Sequence, residues 1–165
     1  MISTEPSPPA TTFKVLHTIP HHMNYVFGIS SSPDGRFVFS GGLDKSIIST
    51  DIASGEIVAK SADAHRFQVR KIAVAPNGKF VVSCDYNEKV VKVWDSVNLK
   101  LMCCLEGSDS EINRIAVSHD SKTIVCGDIR GGVKLWTTQG EPETWALSEK
   151  SWKDHNKIVE AVTFR

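Results

Sequence analysis

The residues of this chain that could do chemistry are three closely spaced histidines, His17, His21 and His22, and the adjacent pair Cys103 and Cys104. Imidazole nitrogens bind zinc, but a tetrahedral zinc site takes about four ligands, and no Cys-x-x-Cys motif or spaced histidine pair accompanies these three. Adjacent strand residues point to opposite faces, so we interpret the cysteines as strand residues rather than as a redox pair. We therefore predict no metal site.

The motifs that mark common enzyme sites are missing from the sequence. It contains no nucleophile elbow, no phosphate-cradling glycine loop and no paired-carboxylate arrangement. The Gly-Gly pairs at 41–42 and 131–132 are interpreted as backbone turns, because no helix N-terminus follows them to bind a phosphate. We predict a protein that is not an enzyme and that has no catalytic residue and no cofactor.

Composition and charge narrow the class further. The 19 basic side chains balance the 19 acidic ones, so no net charge attracts nucleic acid or an anionic membrane. The polar segment 1–11 contains three prolines and predicts a disordered tail rather than a secretory signal. The four cysteines, Cys84, Cys103, Cys104 and Cys126, are typical of free thiols in a reducing compartment. We therefore expect an intracellular protein, in the cytoplasm or the nucleus.

The strongest signal is an internal repeat. Similar segments begin at His22, His65, Ser108 and His155, at intervals of 43, 43 and 47 residues. Apolar residues recur four and seven positions after each start, and many of them are β-branched. A period in the low forties, with short alternating apolar runs broken by turn residues, predicts four-stranded β units and argues against pairs of helices.

Each unit is predicted to consist of four antiparallel strands joined by tight turns. Ser-Pro-Asp-Gly at 32–35, Pro-Asn-Gly at 76–78 and His-Asp-Ser at 119–121 supply the residue types that a hairpin turn requires. The third strands, such as 90–95, are apolar on both faces, which is expected when each sheet is covered by neighbours on both sides. These features predict the blades of a β-propeller.

Two of the third strands end in motifs of a known family. Val-Lys-Val-Trp-Asp at 91–95 and Val-Lys-Leu-Trp-Thr at 133–137 resemble the Trp-Asp endings of WD40 repeats. Ala-His at 64–65 and Asp-His at 154–155 stand where that family has Gly-His. The resemblance covers residues 15–165 and implies an all-β, WD40-type propeller with about three complete blades, whose ring does not close within this chain.

The repeat and the resemblance together predict the organisation of the chain. A tail at 1–11 precedes a propeller segment at 12–165. The segment divides into a clasp strand of a final blade (12–21), blade 1 (22–64), blade 2 (65–107), blade 3 (108–154) and the start of blade 4 (155–165).

In this family a buried, hydrogen-bonded set of Trp, Ser or Thr, His and Asp often ties a blade together. The resemblance implies nine structural repeat residues here: His22, Ser40, Asp44, His65, Ser83, Trp94, Asp95, Trp136 and His155. No blade carries the full set, because Thr50 replaces Trp in blade 1, Glu88 replaces Asp in blade 2, and blade 3 keeps only its Trp. We expect blades held mainly by apolar packing, with blade 2 the best tied.

Partner-binding residues are implied by the loops that this family uses most. By position, the loops before the first strands contribute Asn24, Phe67, Ser110 and Lys157, and those between second and third strands contribute Leu43, Asn87 and Ile129. Phe67, Leu43 and Ile129 stand out, because exposed apolar loop tips usually need a partner to cover them. The alternative is that one or more of them folds back against its neighbour.

The sequence thus predicts a non-catalytic protein–protein interaction scaffold that binds other proteins or peptides, with no nucleic-acid or membrane partner. Unpaired strand edges at the open ends of the array also predict self-association. The alternative is a truncated fragment of a longer WD40 propeller protein with no independent activity.

Overall fold

The computed structural model describes residues 14–85, 87–139, 144–153 and 155–164. The predicted tail at 1–11 and residues 12–13 of the predicted clasp lie outside the described residues. The described residues form twelve strands: β1 Val26–Ser31, β2 Phe37–Gly42, β3 Ile47–Asp51, β4 Ile57–Ser61, β5 Val69–Val74, β6 Phe80–Asp85, β7 Val91–Asp95, β8 Leu101–Leu105, β9 Ile112–Val117, β10 Thr123–Asp128, β11 Val133–Thr138 and β12 Trp145–Leu147. The described residues contain no helix that is long and apolar enough to cross a membrane.

The twelve strands form three separate four-stranded antiparallel sheets, which correspond to blades 1, 2 and 3. Their strand orders are β1-β2-β3-β4, β5-β6-β7-β8 and β9-β10-β11-β12. All three sheets are simple meanders, because every neighbour in the sheet is also a neighbour in the chain. The predicted fold class, an all-β array of propeller blades that does not close within the chain, is confirmed.

The first hairpin of each blade closes with the same turn. The last turn residue has a positive φ in all three blades, 70° at Gly35, 71° at Gly78 and 59° at Ser121. Each turn is also held by a side-chain oxygen, such as Oδ1 of Asp120, which accepts the backbone N–H two residues on. Glycine adopts this left-handed backbone without cost, and Ser121 adopts it inside the same hydrogen-bonded frame.

Two apolar clusters hold the blades face to face, and blade 2 contributes to both. The cluster between blades 1 and 2 contains Phe39, Ile47, Val69, Ile72, Val81 and Trp94. The cluster between blades 2 and 3 contains Phe80, Val82, Val93, Ile115, Ile124 and Trp136. Alternate residues of β6 and β7 therefore serve opposite neighbours, which explains why these strands are apolar on both faces.

A small residue on the second strand lets the next blade approach closely. A Cβ atom added to Gly41 would overlap Cγ1 of Val69 on the first strand of blade 2. The same relationship recurs between Gly127 and Val159, where the added Cβ would lie 2.5 Å from Cγ1. Segment 158–164 therefore lies against blade 3 much as β5 lies against blade 1.

The chain on either side of the three blades is held by hydrogen bonds rather than by sheet pairing. The described residues of 14–21 and of 155–164 form no strand. The backbone N–H of Val159 donates to the carbonyl of Asp128 at 3.0 Å, and Nδ2 of Asn113 donates to the carbonyl of Val159 at 2.8 Å. Before blade 1, Nε2 of His17 and Nε2 of His21 donate to the carbonyls of Ala53 and Gly55 in the β3–β4 turn.

Candidate partner-binding face

A directional hydrogen-bond chain crosses blade 2. The indole Nε1–H of Trp94 donates to Oγ of Ser83 at 2.7 Å. The Ser83 hydroxyl lies 2.7 Å from Nε2 of His65, and Nδ1 of His65 lies 2.9 Å from Oε2 of Glu88. Since the indole can only donate and the carboxylate can only accept, Ser83 donates to Nε2 and the neutral imidazole donates from Nδ1.

The protonation states of His65 and Glu88 fit the direction of this hydrogen-bond chain. Burial lowers the pKa of His65 against the opposing influence of Glu88, and the nearby Lys92 lowers it further. Burial would raise the pKa of Glu88, but the hydrogen bonds from His65 and Lys92 bring it below its usual value. Nζ of Lys92 lies 3.2 Å from the Glu88 carboxylate. A neutral imidazole thus sits between a hydroxyl and an ionised carboxylate whose counter-ion is Lys92.

Asp85 is a site residue that the sequence reasoning missed. It is fully buried, and its carboxylate accepts the backbone N–H groups of Phe67, Asn87 and Glu88. Asp128 occupies the same repeat position in blade 3 and accepts the N–H of Arg130 and of Gly132. The signal was present, because an aspartate stands twenty residues after the start of both repeats.

Blade 1 has a shorter version of the same network. His22 lies 3.0 Å from Oδ1 of Asp44 through Nδ1 and 2.8 Å from Oγ of Ser40 through Nε2. Burial would raise the pKa of Asp44, but hydrogen bonds from His22, Ser46 and Met23 bring it to about 2. Thr50, in the place of the tryptophan, is buried.

The remaining predicted repeat residues, Trp136, Asp95 and His155, do not form a chain of this kind. Nε1 of Trp136 donates to the carbonyl of Glu106 at 2.9 Å, so this indole bonds the backbone and not a serine. Asp95 lies outside the blade 2 chain and accepts the N–H groups of Val97 and Asn98 in the turn after β7. His155 is exposed.

Three side chains of metal-ligand type come together in blade 2. Ligand atoms of His65, Asp85 and Glu88 all lie within 4.8 Å of one another. Both imidazole nitrogens are already hydrogen-bonded, the Asp85 oxygens accept backbone N–H groups, and a lysine ammonium adjoins Glu88. A cation bound here would have to displace these partners, so we interpret the cluster as part of the blade's internal support.

The structure sorts the seven predicted contact residues by exposure. Asn24, Phe67, Asn87, Ile129 and Lys157 are exposed, and Leu43 is half-buried. Phe67 and Ile129 leave 37% and 41% of their surface in solvent, so neither folds back completely.

Ser110 departs from the surface position expected of a contact residue. It is 1% exposed, and its hydroxyl donates to the Glu111 carboxylate at 2.7 Å. Ser110 thus lies beneath the loop surface, where it supports Glu111.

Two of the exposed residues, Asn87 and Ile129, line one hollow between blades 2 and 3. The hollow has a volume of about 140 Å³ and is lined by Arg70, Asn87, Glu111, Ile112 and Ile129. The backbone N–H groups of Phe67 and Asn87 both donate to the Asp85 carboxylate, so the loop of Phe67 is tied to the loop of Asn87. The N–H of Ile129 donates to the Glu111 carbonyl at 3.0 Å, which fixes the second wall.

We call the loops around this hollow the loop face; it comprises residues 62–68, 87–90, 106–111 and 128–132. At the opposite end of the blades, the sequence reasoning missed a larger groove of about 400 Å³ between blades 1 and 2. Its lining is mainly apolar and includes Pro33, Phe37, Phe39, Val58, Pro76 and Val97. These residues belong to different turns and strands, so no single stretch of sequence marks the groove.

The three sheets and their repeated hairpins define a β-propeller array of WD40 type, and comparison with known proteins agrees. The family model "WD domain, G-beta repeat" matches residues 13–49, 58–95 and 99–137. The chain belongs to the WD40 repeat family.

Relatives and solved structures share this architecture at low identity. The chain is 29% identical to the nuclear distribution protein PAC1 of Coccidioides posadasii over 86% of its own length and 36% of the relative's. It is 26% identical to the small ribosomal subunit protein RACK1y of rice (Oryza sativa subsp. japonica) over 79% and 40% of the two chains. A chain of the mitotic checkpoint complex crystal structure superposes with a TM-score of 0.77 at 17% identity, covering 88% of this chain and 44% of that one. The chain thus spans well under half the length of these relatives.

Proposed function

We propose that this protein is a non-catalytic interaction scaffold that binds other proteins or peptides through the loop face over blades 2 and 3. The observation that carries the proposal is that Asn87 and Ile129 line one hollow, while the exposed Phe67 lies in the loop that Asp85 ties to the loop of Asn87. Two partly exposed apolar side chains beside a small concavity, within a polar rim, have the anatomy of an interaction site. Protein–protein interfaces draw most of their energy from such anchors.

The relatives support a scaffold role. RACK1y is named as a protein of the small ribosomal subunit, and the superposed chain comes from the mitotic checkpoint complex. Both descriptions are of proteins in larger assemblies. We also propose an intracellular location. It is supported by the four free cysteines and by a further relative that is named a probable cytosolic iron–sulfur protein assembly protein.

The proposal is tested by affinity capture with a matched pair of variants. Wild-type protein is expected to retain one or more proteins from a lysate, and the double variant Phe67→Ala, Ile129→Ala is expected to lose them. Val97→Ala, which removes an exposed apolar side chain from the groove at the opposite end of the blades, is the control and is expected to retain them. Capture that is unchanged in the double variant, or no capture at all, contradicts the proposal.

We also propose that the outward face of blade 1 is an association surface. Ile29 of β1 is 69% exposed, whereas Ile72, at the same repeat position in β5, is 6% exposed because blade 1 covers it. Val26 is likewise half-exposed where its equivalent Val69 is buried. An uncovered copy of an inter-blade face favours pairing with another β surface.

Sedimentation velocity tests this second proposal. Wild-type protein is expected to sediment as a concentration-dependent mixture that includes a dimer, and Ile29→Asp is expected to shift it to monomer. Val97→Asp places the same charge on an exposed site away from this face and is expected to leave the mixture unchanged. A wild-type monomer at all concentrations would contradict self-association.

The predicted clasp strand at 12–21 remains a proposal. It is supported by the family match, whose first segment begins at residue 13. The second and third matched segments begin in or next to the outer strands of blades 1 and 2.

A further inference from the structure

We infer that the apolar groove between blades 1 and 2 is occupied by the chain's own proline-rich segment, residues 6–11. The groove lies at the opposite end of the blades from the loop face, so this inference is independent of the scaffold function proposed above.

The groove is a preformed apolar site. Its volume of about 400 Å³ lies within the roughly 300–1,000 Å³ that is usual for sites that enclose a ligand. Phe39, in its lining, is buried in the cluster between blades 1 and 2, and Phe37 packs against that cluster. Val58 of blade 1 and Val97 of blade 2 also line the groove, yet 50% and 74% of their surface is exposed. An apolar occupant that covers these side chains is therefore favoured.

The polar side chains of the lining leave few acceptors for the N–H groups of an occupant. Four of them are already hydrogen-bonded to backbone groups of the turns around the groove: Ser32, Asp34, Asn77 and Ser96. An ordinary peptide brings one N–H per residue, and an N–H that is buried without an acceptor costs free energy. Proline has no N–H, so a proline-rich segment enters this groove at a lower cost than other peptides.

The segment at 6–11 has the composition that the groove requires. These residues lie outside the described part of the chain. They read Pro-Ser-Pro-Pro-Ala-Thr, with no charged side chain and with three of the chain's seven prolines. Among the described residues that line the groove, only Asp34 has a charged side chain, so the lining offers no cation to an acidic occupant. Proline rings restrict the backbone before it binds, which lowers the entropy cost of docking on an aromatic surface.

The chain enters blade 1 at the same end of the sheet as the groove. Nε2 of His17 donates to the carbonyl of Ala53 at 3.0 Å, and Nε2 of His21 donates to the carbonyl of Gly55 at 2.9 Å. Both carbonyls belong to the β3–β4 turn. In a four-stranded meander this turn lies at the same end as the β1–β2 turn, which lines the groove. Val58 follows Gly55 on β4, about 10 Å further along the chain.

A short tether makes weak contacts sufficient. Residues 12–16 connect the segment to His17, and this linker reaches up to about 20 Å, which exceeds the distance from the β3–β4 turn to Val58. Such a linker holds the segment near the groove at an effective concentration on the order of 1 mM. A groove that binds the segment with a Kd of about 0.1 mM is then filled in roughly nine molecules of ten.

Substitution of the prolines tests the occupant. The triple variant Pro6→Ser, Pro8→Ser, Pro9→Ser keeps the length and charge of the tail, but it removes the rings and adds three N–H donors. It changes no residue of the three blades, so the fold is expected to be unaffected.

Methyl NMR compares the triple variant with the wild type. The wild type is expected to show NOEs between proline ring protons and the methyl groups of Val58 and Val97, and the shifts of both methyl groups are expected to change in the triple variant. The methyl groups of Ile129, on the loop face, are the control and are expected to keep their shifts. Unchanged shifts at both valines would overturn the inference. Shifts that depend on protein concentration would also overturn it, because the segment would then occupy the groove of a second copy.

A labelled peptide with the sequence of residues 1–13 measures whether the groove is free. By fluorescence polarisation, it is expected to bind the triple variant about tenfold more tightly than the wild type, whose groove is filled. In the triple variant, Val97→Asp is expected to weaken the peptide about tenfold, whereas Ile129→Asp, which places the same charge on the loop face, is expected to have no effect.

Two outcomes of the peptide experiment contradict the inference. Equal binding to the wild type and the triple variant would show that the groove is open to proline-rich segments of other proteins rather than held by its own tail. Absence of binding to the triple variant would show that the groove does not take this segment at all.

Discussion

The indole nitrogen of Trp94 lies 2.7 Å from the hydroxyl oxygen of Ser83, and this contact begins the hydrogen-bond chain that crosses blade 2. Because the Glu88 carboxylate can only accept, the proton of the neutral His65 imidazole lies on Nδ1, so Nε2 accepts the hydrogen of the Ser83 hydroxyl, whose oxygen accepts from the indole. Two strands, β6 and β7, and the loops that contain His65 and Glu88 are thereby tied in a single register. Blade 2 is also the blade that the other two pack against, so its internal order supports the whole array.

Trp94→Phe is expected to lower the free energy of unfolding by about 1–3 kcal/mol, since it leaves a buried hydroxyl without its donor. Urea unfolding followed by circular dichroism measures the change. Trp152→Phe makes the same substitution at a partly exposed site and is expected to change stability by less than about 0.5 kcal/mol. Equal effects of the two variants would show that the Trp94–Ser83 bond adds nothing to stability.

Stability is expected to fall as the pH drops below about 6.5, the pKa of histidine in an unfolded chain. Burial holds the pKa of His65 below that value in the folded protein, so the unfolded state takes up a proton first and is favoured by acid. The stability that the neutral His65 contributes is complete above about pH 6.5. It is lost progressively as the pH falls toward the pKa of His65 in the folded protein. NMR titration of the His65 imidazole checks this directly, and a midpoint at or above 6.5 would refute it.

Gly41→Ala is expected to destabilise the protein by about 1–3 kcal/mol through overpacking between blades 1 and 2. The new methyl group would overlap Val69, which is fixed between two sheets. Gly127→Ala, at the same repeat position, meets Val159 in a segment outside the sheets. It is expected mainly to increase hydrogen exchange at 158–162, and a larger global loss from Gly127→Ala than from Gly41→Ala would contradict this account.

The four cysteines are expected to differ sharply in reactivity. Burial raises the pKa of both Cys84 and Cys126 to about 12, so neither forms the nucleophilic thiolate in the folded protein. Cys104 is exposed on β8. A thiol reagent such as DTNB is expected to label Cys104 first and to reach Cys84 and Cys126 only after denaturation. Persistence of the fast phase in Cys104→Ser would contradict this order.

The recurring features of the molecule were predictable from residue types at fixed offsets. The positive φ at Gly35 and Gly78 was indicated by Asp-Gly and Asn-Gly in turn positions, because these residue types tolerate that backbone. The alternation in β6 and β7 likewise predicted sheets covered on both faces. Such properties depend on residues that are close in sequence, and repetition strengthened the signal.

The candidate site was only partly predictable. Position in the repeat placed Phe67, Asn87 and Ile129 on loops at one end of the blades, but it also selected Ser110, which lies beneath that surface. Whether a loop side chain is exposed depends on packing between loops of different blades. The sequence pattern contains no information on that packing.

The sequence by itself determined the blade, because strand alternation and turn chemistry are local requirements that repeat every few dozen residues. Only the tertiary structure decided which side chains meet. It placed the Asp85 carboxylate at the backbone N–H of Phe67 and brought Asn87 of blade 2 and Ile129 of blade 3 to one hollow. Such contacts join residues that are far apart in the chain, and only the folding of the blades and the packing of one sheet on the next bring them together.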